Sequence, residues 1–291
     1  MTTDPNVNQN RKKITKSFNR FYKKLFKWYS IIPLEIIKWR LNKNPRYQPG
    51  KISVLNWSIE YLDAPALVSS IDLLLIKKSN DFKTSNPIPV ILDCGANIGI
   101  SVLNYKRKFP NSQIIAFEPD PIIIPILKKN LKVNGASDVK IVEAAVWIKN
   151  GKSKFFCEGA DGSKLIHHTN SHSTIEVSTI DLKDYISQPI DLIKMDIEGA
   201  EFDVIPHLSN KLHCIQNILI ECHINSFEIE KFSMLLNELG KAGFQVSIGV
   251  LGNWSDLLNK PIRIKNGFDQ YILVSAWRDE HHICEANIKE S

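Results

Sequence analysis

The chain has 291 residues, 43% of them hydrophobic and 23% charged, a balance that supplies a full core and excludes a disordered or fibrous chain. The net charge of +6 is lopsided: residues 11–46 hold twelve Lys/Arg against one acid, Glu35, and the remainder is mildly acidic. Five cysteines without CxxC or zinc-like spacing argue against a disulfide framework. With a polar start and no apolar run near the ~20 residues of a membrane span, the expected compartment is the cytoplasm.

In residues 11–46, Ile14, Phe18, Phe21, Tyr22, Leu25 and Phe26 fall at helical spacing with Lys and Arg between them. Pro33 breaks this amphipathic basic helix, and a second helical piece is predicted around 34–42. Two readings lead, with nucleic acid binding a weaker third. The arm is a cap that lays its aromatic face on the core, or a peripheral anchor on an anionic membrane surface. Nucleic acid is not an expected partner, because the stretch lacks any motif that reads bases.

From about residue 87 the chain alternates apolar strands with helical segments. Strands are predicted at 89–93, 113–118, 139–146, 190–196, 215–223, 244–249 and 270–277, and helices at 99–109, 120–134, 200–208 and 226–240. Continuously apolar strands with intervening helices imply a mostly parallel sheet covered on both faces. The last two strands lack a helix between them, which permits a terminal antiparallel pair. Residues 148–180 break the pattern with Gly151, Gly159, Gly162, His167, His168 and His172, and read as a hairpin followed by a loop near the site.

The stretch VILDCGANIGIS, residues 90–101, ends a strand in an acid and hands over to a turn with Gly95 and Gly99. Sheets of this kind bind ligands beyond the carboxyl ends of their strands. A dinucleotide fingerprint would be G-x-G-x-x-G, and here one glycine is missing. An acid beside the turn suits a ligand carrying positive charge, such as the sulfonium of S-adenosylmethionine. Glu118, twenty-five residues after Asp93, ends the second strand, where an acid can accept both ribose hydroxyls of an adenosine. Glu143 and Ala144, at the third strand end, lie where an adenine is expected.

The motifs DCGANIGIS, AFEPDP, STIDL and IDLIKMDIEGAE together resemble the FkbM family of S-adenosylmethionine-dependent methyltransferases over about residues 88–247. The resemblance implies a class I methyltransferase fold: a Rossmann-like, mostly parallel seven-stranded sheet with helices on both faces. It implies methyl transfer to a hydroxyl of a small molecule, sugar or glycolipid-like acceptor. By motif, Asp93, Gly95, Asn97 and Gly99 would line the cofactor and Glu118 would hold its ribose. The domain plan is then a helical arm at 1–50, a linking helical segment at 51–86, the methyltransferase domain at 87–278 and a tail at 279–291.

Alternation along a strand sets Lys194, Asp196 and Glu198 on one side of one strand end, and Glu221 with His223 on one side of the next. Lys194, Asp196 and His223 are the catalytic candidates, with His223 or Asp196 as the base that takes the acceptor's proton. Alternatively Asp196, Glu198 and Glu221 hold a Mg²⁺-like cation that lowers the hydroxyl's pKa. Two rival readings are an NAD(P)-linked Rossmann oxidoreductase and a non-catalytic, membrane-associated S-adenosylmethionine-binding module.

Overall fold

The computed structural model describes residues 33–156, 164–165, 174–224, 229–250 and 270–278. The basic stretch up to residue 32, the histidines His167, His168 and His172, and the tail from 279 lie outside the described residues.

Seven strands form the main sheet: β3 (Val90–Cys94), β4 (Gln113–Phe117), β5 (Lys140–Val142), β10 (Ile190–Met195), β11 (Ile215–Ile224), β12 (Gln245–Val250) and β13 (Gln270–Trp277). Their order is β12-β13-β11-β10-β3-β4-β5. β13 runs antiparallel to both its neighbours, so β12 points with the rest of the sheet. The predicted terminal pair is present, with the last strand inserted between β11 and β12.

Period-two burial splits the sheet's two faces. Ile91 and Leu192 enter one core with α3 (Ile100–Lys108) and α4 (Ile124–Val133). Leu92 and Ile193 enter the other with α5 (Glu201–His207) and α6 (Ile229–Lys241). Both faces are therefore covered, which is what the uninterrupted apolar strands require.

The segment expected as a linking helix, 51–86, begins instead with a hairpin, β1 (Gly50–Val54) and β2 (Trp57–Tyr61). The physical reason is a period of two: Trp57, Ile59 and Tyr61 are buried while Ser58 and Glu60 are not. The hairpin is bonded to the domain through its free edge. Asn130 on α4 accepts from Glu60 N–H and donates to the carbonyls of Glu60 and Ile98. Asn134, one helical turn on, accepts from Ser58 N–H and donates back to its carbonyl. Helix follows at α2 (Ala64–Ser70) and continues as a wider turn, Ile71–Ile76. A helix over residues 33–41 (α1) matches the second piece expected in the arm, and it buries Leu34 and Leu41.

The single strand expected at 139–146 is broken at Glu143–Ala144. β5 ends in the main sheet, and β6 (Ala145–Trp147) joins a second sheet with β7 (Gly151–Phe156), β8 (Lys164–Leu165) and β9 (Thr174–Asp181), in the order β6-β9-β7-β8. There β7 pairs antiparallel with β9, the hairpin anticipated in the glycine-rich segment. Cys94 and Cys222 are buried free thiols. Among the described residues no helix is long and apolar enough to cross a membrane.

Candidate active site

Sheet order reverses direction around β3 and β10, and their carboxyl ends lie where a doubly wound sheet binds its ligand. After β3 the chain makes a compact turn with three positive φ angles: Gly95 at 81°, Asn97 at 47° and Gly99 at 92°. A Cβ on Gly95 would stand 1.9 Å from the backbone carbonyl oxygen of Asp196. Glycine is needed there because the turn lies against the end of β10, and not because a ligand comes close.

All five amides from Gly95 to Gly99 are spent inside the chain. Gly95 and Ala96 donate to the Phe117 carbonyl, Asn97 to Glu118 Oε2, Ile98 to the Asn97 side chain and Gly99 to the Ala96 carbonyl. A pyrophosphate needs such amides free to cradle it, so the turn does not fit a dinucleotide. Glu118 also accepts from Asp120 N–H through Oε1. Burial pushes its carboxyl up to about 7 against the pull of these two amides. Each of its oxygens keeps a further lone pair for a ligand hydroxyl.

Asp93 is fully enclosed beneath the turn, so it offers no surface to a ligand and supports the turn from below. It accepts from the Ser101 hydroxyl at 2.5 Å and lies 3.5 Å from Lys194 Nζ. Lys194 donates to the Gly95 carbonyl at 2.7 Å and stands 3.4 Å from Asp196 Oδ2. Burial alone would lower the lysine's pKa, but the carboxylates of Asp196, Asp93 and Glu221 outweigh it and push it up. Through these contacts Lys194 ties the end of β3 to the end of β10.

Because β10 and β11 are adjacent and parallel, the two side-chain sets meet as the alternation predicts. Ligand atoms of Asp196, Glu221 and His223 all lie within 4.8 Å of one another. His223 is 2% exposed and packs edge-on to Tyr271 of β13. Its Nε2 lies 3.6 Å from Glu198, 3.8 Å from Asp196 and 4.0 Å from Glu221. Burial opposes a charge on the ring, but Glu198, Glu201 and Asp196 overcome it and raise its pKa to about 10. Burial also raises Glu198 to about 8 and Glu221 to about 7, with Asp196 adding to both. Glu143 and Ala144 do not join this group: Glu143 points outward to Lys128 of α4, and Ala144 is buried.

Glu201 is the residue that sequence reading missed. It opens α5 fully buried, accepts from Ile197 N–H and Gly199 N–H, and lies 3.4 Å from His223 Nδ1. An acid in the first turn of a helix reads as an ordinary dipole partner. Only the fold brings it to a histidine on another strand.

A family model described as Methyltransferase FkbM domain matches residues 93–246, just over half of the chain. The chain belongs to the FkbM methyltransferases. Methyltransferase 1 of Beauveria bassiana (strain ARSEF 2860) is 26% identical over 181 residues, covering 52% of this chain and 72% of that protein. The 2-O-methyltransferase NoeI of Sinorhizobium fredii (strain NBRC 101917 / NGR234) is 33% identical over 141 residues, covering 41% of this chain and 57% of that protein. The crystal structure of precorrin-6y C5,15-methyltransferase from Geobacter metallireducens GS-15 aligns at a TM-score of 0.41 and 15% identity, over 73% of this chain and 88% of that one. This FkbM protein is an S-adenosylmethionine-dependent methyltransferase, and its strand ends suit that cofactor. Among the described residues, acidic side chains outnumber the cations Lys194 and His223 at these strand ends, a bias that favours a sulfonium over a phosphate.

Proposed function

We propose that the protein methylates a hydroxyl oxygen of a small molecule or sugar. The observation that carries this reading is the convergence of Asp196, Glu198, Glu221 and His223 at the ends of β10 and β11, above the Gly95 turn. The name of one relative, a 2-O-methyltransferase, supports oxygen as the acceptor atom. S-adenosylmethionine supplies an electrophilic methyl carbon: the acceptor oxygen forms the new C–O bond, the S–C electron pair leaves on sulfur, and the hydroxyl proton is left for a protein group. In this reading Glu118 would hold the ribose, at the edge of the Gly95–Gly99 turn.

Asp196 is the proton acceptor in this reading. Its side chain is 31% exposed at the strand end, whereas His223 is enclosed and keeps its own proton at neutral pH. Lys194 and His223 each face one Asp196 oxygen and hold the carboxylate in place. Asp196→Asn and His223→Ala are each expected to keep the fold and the cofactor affinity while turnover falls by about 10²–10⁴, the range for a lost general base or its orienting partner. Calorimetry with S-adenosylhomocysteine and release of that product on a panel of methyl glycosides separate the two quantities. Full turnover in Asp196→Asn would remove Asp196 from this role.

The Mg²⁺ expectation gains no support from the donor set. Asp196 and Glu221 are grouped here with an imidazole rather than with Glu198, and Mg²⁺ prefers oxygen ligands throughout. EDTA-treated protein should therefore methylate at the untreated rate. Loss of activity that added Mg²⁺ or Mn²⁺ restores would return the cation to the site.

A further inference from the structure

We infer that Glu201 is a positioning residue for this site: one buried carboxylate fixes both the left-handed loop that carries Glu198 and the Nδ1 side of the His223 ring. The inference rests on the proposed O-methyl transfer, whose proton acceptor, Asp196, faces the other nitrogen of that ring.

A fully enclosed carboxylate is costly unless its oxygens are bonded. Glu201 uses both. Oε1 accepts from Ile197 N–H at 2.8 Å and Oε2 from Gly199 N–H at 2.8 Å. These two amides flank Glu198, whose φ of 58° is left-handed without being glycine. Gly199 follows at 101°. For a residue other than glycine such a conformation is strained and persists where the surroundings over-determine it. Here the grip on both sides of Glu198 does so, and it turns the Glu198 carboxylate to within 3.6 Å of His223 Nε2.

The second contact crosses to another strand. Oε1 of Glu201 is 3.4 Å from Nδ1 of His223, an ion-pair contact rather than a hydrogen bond. A carboxylate beside Nδ1 sets which way an imidazole presents its other nitrogen. The ring has no freedom to turn away, since Tyr271 packs edge-on against it with centroids 5.1 Å apart. Nε2 is thereby aimed at Asp196, Glu198 and Glu221. An acid that only capped α5 would need neither contact. Glu201 touches no solvent and hence no substrate, so it acts through His223 and the Glu198 loop.

The test has an arm without turnover and an arm with it. In the unmodified protein the Nδ1–H of His223 should give a slowly exchanging proton resonance, assigned by its loss in His223→Ala. Its absence from the unmodified protein overturns the inference, whatever any variant does. In Glu201→Gln an amide NH₂ meets a backbone N–H donor and only one oxygen remains. The resonance should vanish and kcat on methyl glycosides should fall about tenfold or more, with KM for S-adenosylmethionine changed less than about twofold. Residues acting as a unit are non-additive, so the Glu201→Gln/His223→Ala protein should be no slower than His223→Ala alone. Losses that multiply in the double variant, or wild-type kcat in Glu201→Gln, overturn the inference. A protein that methylates no hydroxyl but keeps the resonance would sink the function reading and leave the Glu201–His223 pairing standing.

Discussion

Gly95 and Gly135 separate two reasons for glycine. Both have positive φ, 81° and 77°, but a Cβ at Gly95 meets a backbone oxygen at 1.9 Å while one at Gly135 meets nothing within 4 Å. Gly135→Ala should therefore cost only the left-handed penalty of about 1–2 kcal/mol. Gly95→Ala should cost at least about 3 kcal/mol, because the turn and the end of β10 must part. Urea denaturation of the two variants checks this, and equal midpoints would contradict it. Cofactor binding in Gly95→Ala would be lost through the fold, a different cause from the ligand clash that a glycine-rich turn suggests when read alone. Glu118 shows the same overlap. Its two oxygens already hold the amides of Asn97 and Asp120, so Glu118→Ala should weaken S-adenosylhomocysteine binding by about 1–3 kcal/mol and also loosen the turn. Unchanged affinity by calorimetry would move the ribose elsewhere. The glycines, Asn97 and Glu118 were legible as a turn at the strand ends because acids and glycines stand out at the end of apolar strands. That their hydrogen bonds run inward was not, since it depends on contacts between β3 and β4.

At the scale of elements, adjacent strand ends gather acids faster than they gather cations, and this sets how stability depends on pH. Burial raises Glu118 and Glu221 to about 7 and Glu198 to about 8, from an unfolded value near 4.5. Between these values the folded chain binds more protons than the unfolded one, so stability falls as pH rises. His223, held near 10 by its carboxylates against burial, has an unfolded value near 6.5. Its contribution is complete below pH 6.5 and is lost as pH climbs through 10. All four act in one direction. The urea midpoint of the cofactor-free protein should thus decline steadily from pH 5 to pH 10, and a midpoint that rises from pH 5 to pH 9 would show these groups ionise otherwise. The clusters themselves were readable, because alternation along two neighbouring strands needs only residue counting. The break at Glu143–Ala144 was not: eight residues of strand-like sequence are shared between two sheets, and the composition of the stretch does not say where the chain crosses over. The hairpin at 50–61 was missed for a related reason, since its anchors, Asn130 and Asn134, lie on a helix far along the chain.

Over the whole molecule the basic arm and the acidic body part company at residue 33. The described end of the arm, α1, behaves as a cap: Leu34 and Leu41 are buried in the same core as the hairpin, and Ile37 packs beside them. Lys38 pairs with Asp72 and Arg46 with Asp63, which neutralises two of its cations within the fold. Deleting residues 1–46 should therefore lower the melting temperature, since each buried leucine contributes about 1.5–3 kcal/mol. A truncation that melts with the full chain would show that α1 is not part of the core. The lipid reading then rests on residues 1–32, which carry eight of the twelve Lys/Arg. It predicts that the full chain sediments with vesicles of anionic lipid and that removal of residues 1–32 abolishes this while cofactor affinity stays the same. Each basic residue near such a surface contributes about 1 kcal/mol, and the field is screened over about 10 Å at 0.1 M salt. Sedimentation should therefore weaken steeply between low and physiological salt. Vesicle binding that survives the removal of residues 1–32, or that ignores salt, would rule the anchor out.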